Sequence, residues 1–330
     1  MTEQKKTVDI AALGEILIDF TFGGNNRHGA ALFAQNPGGA PGNVCIQAAR
    51  LGAKTAFAGK VGEDLHGRLL RSVLDDEGVS THNLISDPDA FTTLAFVQVR
   101  EDGEREFSFA RKPGADTRLC FEELDIEEIR SAKIFHIGSL SLTDDPIRTT
   151  TYKAVEIAKE AGALISYDPN YRTSLWPDET TAIQAMRSLI PSADLMKISD
   201  EETKLLTDLE DPRQAAAALV DQGVSLVFVT LGKDGALCCS KKGIVQAAGF
   251  PGKLADTNGA GDSFWGGVLD QIARANKALE EFELDELERI VRNANACAAL
   301  TVRRPGAIPA LPAADEVNSF LAEQGLDKAF

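Results

Sequence analysis

The chain has 330 residues, 44% hydrophobic and 25% charged, which is the makeup of an ordinary globular protein long enough for one large α/β domain with a smaller appended element. Its 34 Lys and Arg against 50 Asp and Glu leave a net charge of -16; this argues against nucleic acid or an anionic membrane as a bulk partner, so a phosphate site has to be built locally. Five cysteines, odd in number and without CxxC spacing, support neither a disulfide framework nor a zinc site, and the four histidines are scattered without ligand spacing.

The start, Met1-Thr2-Glu3-Gln4-Lys5-Lys6, has no signal-type apolar stretch, and no membrane-length apolar run follows, so the expected location is the cytoplasm. Residues 8–13 and 16–22 read as strands, the second ending in the turn-rich Gly23-Gly24-Asn25-Asn26. Asp19 lies inside that second strand, between Ile18 and Phe20. It is either the exposed side of an alternating strand or a carboxylate that accepts from ligand hydroxyls.

Pro37-Gly38-Gly39-Ala40-Pro41-Gly42-Asn43 then leads into a helical run over 44–51. Adjacent glycines let backbone lie against a ligand, and Asn43 offers both a donor and an acceptor, the mixture a polyol needs; Asn43 is equally read as a plain N-cap. A strand over 55–58, a loop over 62–67 and a helix over 68–77 follow. Residues 92–99 and 104–109 alternate in polarity around Glu101-Asp102-Gly103, a hairpin signal outside the strand–helix rhythm. The hairpin is either an ordinary surface feature or a lid that excludes water, with Arg111 just beyond it.

From residue 133 strands and helices alternate regularly: strands over 134–137, 164–167, 195–198 and 226–230, helices over 146–161, 180–190, 201–207 and 213–222. A hairpin-like 236–246 and helices over 263–275 and 285–301 complete the pattern. Such alternation predicts a largely parallel sheet covered by helices on both faces, with ligands beyond the carboxyl ends of the strands. Asp168-Pro169-Asn170-Tyr171-Arg172, Ser199-Asp200-Glu201-Glu202 and Thr230-Leu231-Gly232-Lys233-Asp234-Gly235 each follow a predicted strand directly.

The densest chemistry lies in Asp256-Thr257-Asn258-Gly259-Ala260-Gly261-Asp262-Ser263-Phe264, a small-residue turn running straight into a helix. A helix start attracts anions through its unpartnered N–H groups, yet Asp262 puts a carboxylate in the first turn. A carboxylate there repels a stable phosphate and suits a proton acceptor beside an attacking hydroxyl. The bland reading is a dipole-complementing acid.

Gly38-Gly39-Ala40-Pro41-Gly42-Asn43, with Gly52 and Gly62, and Asp256 to Asp262, with Gly266-Gly267-Val268-Leu269, resemble the two signatures of the PfkB (ribokinase-like) sugar kinases. Cys45 stands where the family usually has Ala, Ser or Thr. The resemblance covers about residues 10–312. Gly14-Glu15-Ile16-Leu17-Ile18-Asp19, Asp168 to Arg172 and Ser174-Leu175-Trp176 look most like the fructokinase branch.

The resemblance implies a three-layer α/β/α ribokinase-like fold with a mostly parallel central sheet, spanning 1–330 as a single domain, and a small β lid built from about 15–24 and 92–112. It implies an ATP- and magnesium-dependent phosphotransferase, with Asp262 as general base and the N–H groups of Gly259, Ala260, Gly261 and Asp262 as an anion hole. Sugar recognition would fall to Asp19, Gly38, Gly39 and Asn43, with Arg111 or Arg172 nearby, and Arg172 is an alternative γ-phosphate ligand. Thr230, Gly232, Gly235 and Asn295 would line the nucleotide. Glu202 would act on magnesium indirectly, although Ser199 replaces the family's Asn there. Asp256, Asn258 and Gly306 would surround a monovalent cation such as potassium, and the lid's outer face would pair two copies in a homodimer.

Fructose is the expected acceptor, with 2-keto-3-deoxygluconate, ribose, another sugar or a nucleoside as alternatives. A catalytically silent sugar- or nucleotide-binding regulator is disfavoured, since it has no need of a base beside an anion hole. The lack of a Gly-Lys-[Ser/Thr] triplet excludes a P-loop kinase, and the lack of a Gly-x-Gly-x-x-Gly fingerprint speaks against a nicotinamide dehydrogenase.

Overall fold

The run Leu226–Thr230 buries Val227 and Val229 in one hydrophobic cluster and Leu226 and Phe228 in another. A strand apolar on both sides has to be covered on both sides, and that requirement sets the architecture. The computed structural model describes residues 6–99 and 105–330; the predicted turn Glu101-Asp102-Gly103 and the start Met1 to Lys5 lie outside them.

The first half of the chain runs through β1 (Val8–Leu13), β2 (Leu17–Asn25), β3 (Ala31–Gly38), α1 (Ala40–Leu51), β4 (Thr55–Gly62), α2 (Leu65–Asp76), β5 (Leu84–Asp87), β6 (Leu94–Val99), β7 (Arg105–Ala110) and α3 (Ile126–Arg130). It continues with β8 (Ala132–Gly138), α4 (Ile147–Glu160), β9 (Leu164–Asp168), α5 (Glu179–Ser188), β10 (Leu195–Ser199), α6 (Thr203–Thr207), α7 (Pro212–Asp221) and β11 (Leu226–Thr230). The last part comprises β12 (Ala236–Ser240), β13 (Gly243–Ala247), α8 (Ala260–Ala275), α9 (Leu284–Thr301) and α10 (Ala314–Glu323).

Among the described residues, nine strands form one sheet in the order β13-β12-β11-β10-β9-β8-β1-β4-β5. It is parallel from β11 to β5, and the hairpin β12–β13 adds an antiparallel edge. On one face α1, α8 and α9 contribute Val44, Trp265, Leu269 and Val291; on the other, α4, α5 and α7 contribute Val155, Met186 and Leu219. This is the three-layer α/β/α arrangement with a mostly parallel sheet that the strand–helix rhythm predicts.

Strands β6 and β7 belong to a second, four-stranded sheet among the described residues, β3-β2-β6-β7, in which only β2 and β6 run parallel. Sequence reading misses β3, because Ala31, Leu32, Phe33 and Ala34 are consecutive apolar residues, all of them exposed, and carry no two-residue period. The outer side of this sheet is aromatic: Phe20 stacks on Phe96 at 5.4 Å, and Phe33 meets Phe96 edge-on at 5.9 Å.

Helix α8 is fixed to the centre of the main sheet by Trp265, which is fully buried. Its indole N–H donates to Ser166 Oγ on β9 (3.0 Å) and to His136 Nδ1 on β8 (3.3 Å), and Ser166 Oγ lies 2.9 Å from the same Nδ1. The imidazole therefore accepts through Nδ1 and stays neutral: burial, with help from the nearby Lys197 charge, pushes its pKa from 6.5 down to about 3.

A group whose folded pKa is depressed stabilises fully above its unfolded pKa and loses that contribution as pH falls towards the folded one. The stability gap between the wild type and His136→Gln, taken from urea melts, should be constant above about pH 7. It should shrink by up to about 1.4 kcal/mol per pH unit as the solution is acidified through about pH 6 and 5. A gap that does not change over that range refutes a buried neutral imidazole.

Candidate active site

Two helix starts converge, and glycine is what lets them. On α8, a Cβ at Gly266 would lie 2.7 Å from Gln47 Cβ and 3.0 Å from the Val44 carbonyl oxygen of α1, so the two helices cross closer than any side chain permits. The crossing is tied by the Ser263 hydroxyl, which donates to Gln47 Oε1 (2.9 Å) and accepts from Thr301 (2.8 Å). One turn away, Asn43 Nδ2 donates to Asp262 Oδ2 at 2.7 Å, across 219 residues of chain.

Around this contact lies a polar cavity walled by Glu15, Asp19, Gly39, Asn43, Arg172, Asn258 and Asp262. Asp19 is 7% exposed, so its strand turns it inward. Burial foremost raises its pKa to about 6, against the opposing effects of a bond from Asn258 Nδ2 (3.3 Å) and the Arg172 charge. Gly38, on the neighbouring strand opposite Leu17, approaches it closely, and a Cβ there would sit 2.5 Å from Asp19 Oδ2. Gly39 has φ +110°, and its Cβ would meet the Glu15 carbonyl oxygen at 2.6 Å. Gly39 is also the N-cap of α1, with the Asn43 N–H donating to its carbonyl at 2.8 Å. The capping reading of Asn43 is thereby ruled out, and its amide is turned into the cavity, where Oδ1 is buried with no partner.

The two candidate arginines separate. Arg172 lies in the cavity wall, with Nη1 donating to the Tyr171 carbonyl at 3.1 Å. Arg111 does not line this cavity. Its three guanidinium nitrogens donate to Asp116 (2.7 Å), Thr143 (2.8 Å) and the Leu140 carbonyl (2.9 Å), which makes it a strut between the end of β7 and the loop after β8.

Asp262 is the third residue of α8, 8% exposed. Burial raises its pKa, while the Asn43 hydrogen bond and the Lys197 charge act in the opposite direction. The Gly261 and Asp262 N–H groups, like those of any first helical turn, have no intrahelical acceptor. The Ala260 N–H differs from that expectation, since it is directed to the Thr257 carbonyl (3.3 Å). Gly259, the N-cap, holds φ +75°.

On the other side of this helix start is a cleft of about 640 Å³. Gly232, Gly235, Thr257, Ala260 and Asn295 border it, and Phe250, Leu254, Ala298 and Val302 give it apolar walls. Gly235 has φ +94°, and a Cβ there would overlap the Ala247 carbonyl. Asn295 Nδ2 donates to the Ala247 (3.0 Å) and Ala248 (3.2 Å) carbonyls, so it holds the loop that forms one wall. Thr230 ends β11 with its hydroxyl directed to the Ile198 carbonyl (3.4 Å), outside the cleft lining.

Glu202 is 7% exposed and both its oxygens are engaged: Oε1 accepts from the Tyr171 N–H (2.8 Å), Oε2 from the Ser199 N–H (2.8 Å) and hydroxyl (3.1 Å). In this state it braces the loop that carries Arg172. Asp256 accepts from the Asn258 N–H (2.8 Å) and the Gly306 N–H (2.9 Å), which draws the three residues of the expected cation site together. Among the described residues no group of three or more His, Cys, Asp or Glu side chains is arranged to hold a metal.

Sequence reasoning singles out neither Glu15 nor Lys197 as a site residue. Lys197 is buried on β10, with Nζ 2.8 Å from Asp168 Oδ2 and 3.1 Å from where a Gly261 Cβ would be. Its ion pair keeps a positive charge beneath the α8 start. A charged residue inside the apolar run Leu195–Ser199 is the signal that marks it. For Glu15 the signal is a carboxylate at the carboxyl end of a central parallel strand.

Known proteins share this chain's sequence and fold. The chain is 45% identical to "Probable fructokinase-3" of Arabidopsis thaliana over 96% of its own length and 92% of that protein's. Its fold superposes on the fructokinase from Xylella fastidiosa with bound ATP at a TM-score of 0.86, with 32% identity, covering 96% of this chain and 99% of that one. A fructokinase double mutant from Vibrio cholerae O395, bound to fructose, ADP and potassium ion, matches with a TM-score of 0.85 and 31% identity over 96% and 99% of the two chains. Residues 8–314 match the model of the pfkB family carbohydrate kinases, and the chain belongs to that family.

Proposed function

We propose that the protein is a fructokinase, transferring the γ-phosphoryl group of ATP to fructose to give fructose 6-phosphate and ADP. The observation that carries this reading is that one helix start borders both cavities: Asp262 lines the polar one, and Ala260, two residues earlier, lines the nucleotide-sized cleft. In the reaction Asp262 accepts the proton of the attacking sugar hydroxyl. The Gly261 and Asp262 amides at the positive end of α8 then face the charge that develops on the phosphoryl oxygens. Asp19, Asn43 and the backbone of Gly38 and Gly39 bind sugar hydroxyls, and Arg172 neutralises charge between sugar and phosphate.

ATP occupies the cleft bordered by Gly232, Gly235 and Asn295, its base between the apolar walls. Magnesium would supply charge neutralisation to the phosphates and would be held largely through water, since Glu202, the acid expected to act on it, has both oxygens engaged by Tyr171 and Ser199. The Asp256, Asn258 and Gly306 loop is a candidate potassium site, in keeping with the potassium-bound relative. The chain works as a single kinase domain in which the smaller sheet excludes water as a lid. Its exposed Phe22, Phe33 and Phe96 are the face we assign to a homodimer. No helix among the described residues is long and apolar enough to cross a membrane, which suits a cytoplasmic enzyme.

Replacing Asp262 by Asn should lower kcat by about a hundredfold to ten-thousandfold, the range for loss of a general base. Sugar and ATP affinities by calorimetry should stay within about threefold, and near-normal turnover would reject the role. Because burial raises the Asp262 pKa, the acid limb of the pH–kcat profile should lie above the ordinary aspartate range. Asn43→Ala removes a bond that favours the charged form and should move that limb to higher pH; an unmoved limb means that Asn43 does not tune the base. In an ADP-release assay against fructose, ribose, 2-keto-3-deoxygluconate and glucose, fructose should give the highest kcat/KM, and absence of turnover with fructose refutes the assignment.

A further inference from the structure

We infer that Glu15 is a specificity-determining ligand of the acceptor sugar, its unengaged carboxylate oxygen accepting a hydrogen bond from a sugar hydroxyl. The inference rests on the proposed sugar-kinase reading of the cavity and adds a residue to it. Glu15 lies two residues past the end of β1, at the carboxyl edge of the parallel sheet, and is 4% exposed. One oxygen, Oε1, accepts from the Ala40 N–H at the start of α1 (3.0 Å), which fixes the side chain's direction. The other, Oε2, is buried without a hydrogen-bond partner in a wall of the cavity that also holds Asp19 and Asp262.

A buried carboxylate oxygen without a donor is costly and calls for an explanation. Burial accordingly pushes the Glu15 pKa up to about 7, with its own backbone N–H, the Arg111 charge and the Ala40 N–H only partly offsetting it. The cavity contains a second orphan of the same kind, Asn43 Oδ1. Two unpartnered acceptors in one cavity select a ligand that brings at least two donors. A polyol does so, whereas phosphate oxygens bring none and would be repelled by the carboxylate.

The test is Glu15→Gln in the full-length enzyme. Glutamine keeps an oxygen for the Ala40 N–H and replaces the free acceptor by a donor of the same size. With the sugar that the wild type turns over fastest, KM for sugar should rise about tenfold or more, with kcat within about threefold and KM for ATP unchanged. The wild type should also discriminate against deoxy analogues of that sugar, and for one of them the penalty should largely vanish in Glu15→Gln. If sugar KM and analogue discrimination both match the wild type, Glu15 merely braces α1 and the inference fails. Should fructose not be turned over while another sugar is, the fructokinase assignment fails and the Glu15 test is read with that other sugar. A thermal melt that matches the wild type secures the comparison; if Gln unfolds the protein, Glu15→Asp, with a shorter acceptor, should raise sugar KM and leave ATP KM unaltered, and an unchanged sugar KM overturns the inference.

Discussion

The missing side chain of Gly266 governs the molecule's chemistry. Because nothing projects from that point of α8, α1 can cross it with Gln47 and Val44 in direct contact, and the two helix starts come within reach of each other. Asn43 and Asp262 then meet at 2.7 Å. A larger residue there would move one helix by the better part of a side chain, and a hydrogen bond has no such tolerance. The bonds around Ser263 and the Trp265 anchor take effect only once that crossing has been allowed.

Electrostatics follow from the same geometry. Glu15, Asp19 and Asp262 share one cavity and all have raised pKa values, chiefly through burial. Three acids in a protein of net charge -16 make a poor phosphate site taken alone. The counterweights are local: Arg172 in the wall, the Lys197 and Asp168 pair beneath α8, and the positive end of the helix itself. Acids that prefer protons over bare charge are suited to exchanging protons with hydroxyls, which is the chemistry we assign to Asp262.

Much of this arrangement is legible in the sequence, for a physical reason. Buried parallel strands such as Leu226–Thr230 and amphipathic helices such as Pro212–Asp221 write their periodicity into composition, and small-residue turns such as Thr257 to Gly261 announce a ligand. Strand β3 carries no such record, since its side chains are largely exposed and its pairing is made by backbone. Arg111 shows a different limit. Its position in the chain, just past a hairpin beside the site, suits a ligand contact as well as a strut, and only the location of Asp116, Thr143 and Leu140 decides between them. Glu15 and Lys197 show only as lone charges in or just past an apolar strand, and it is what surrounds them across the sheet that makes them part of the site.

The sequence separation of 219 between Asn43 and Asp262 also bears on the order of events during synthesis. Contacts of such long range are among the last to close as a chain folds. A ribosome-bound fragment that ends before residue 260 contains the Gly38 to Asn43 loop but lacks α8. In such an unfinished chain the Asn43 amide has no Asp262 to meet, and the polar cavity is walled on all sides only once the core around α8 is complete.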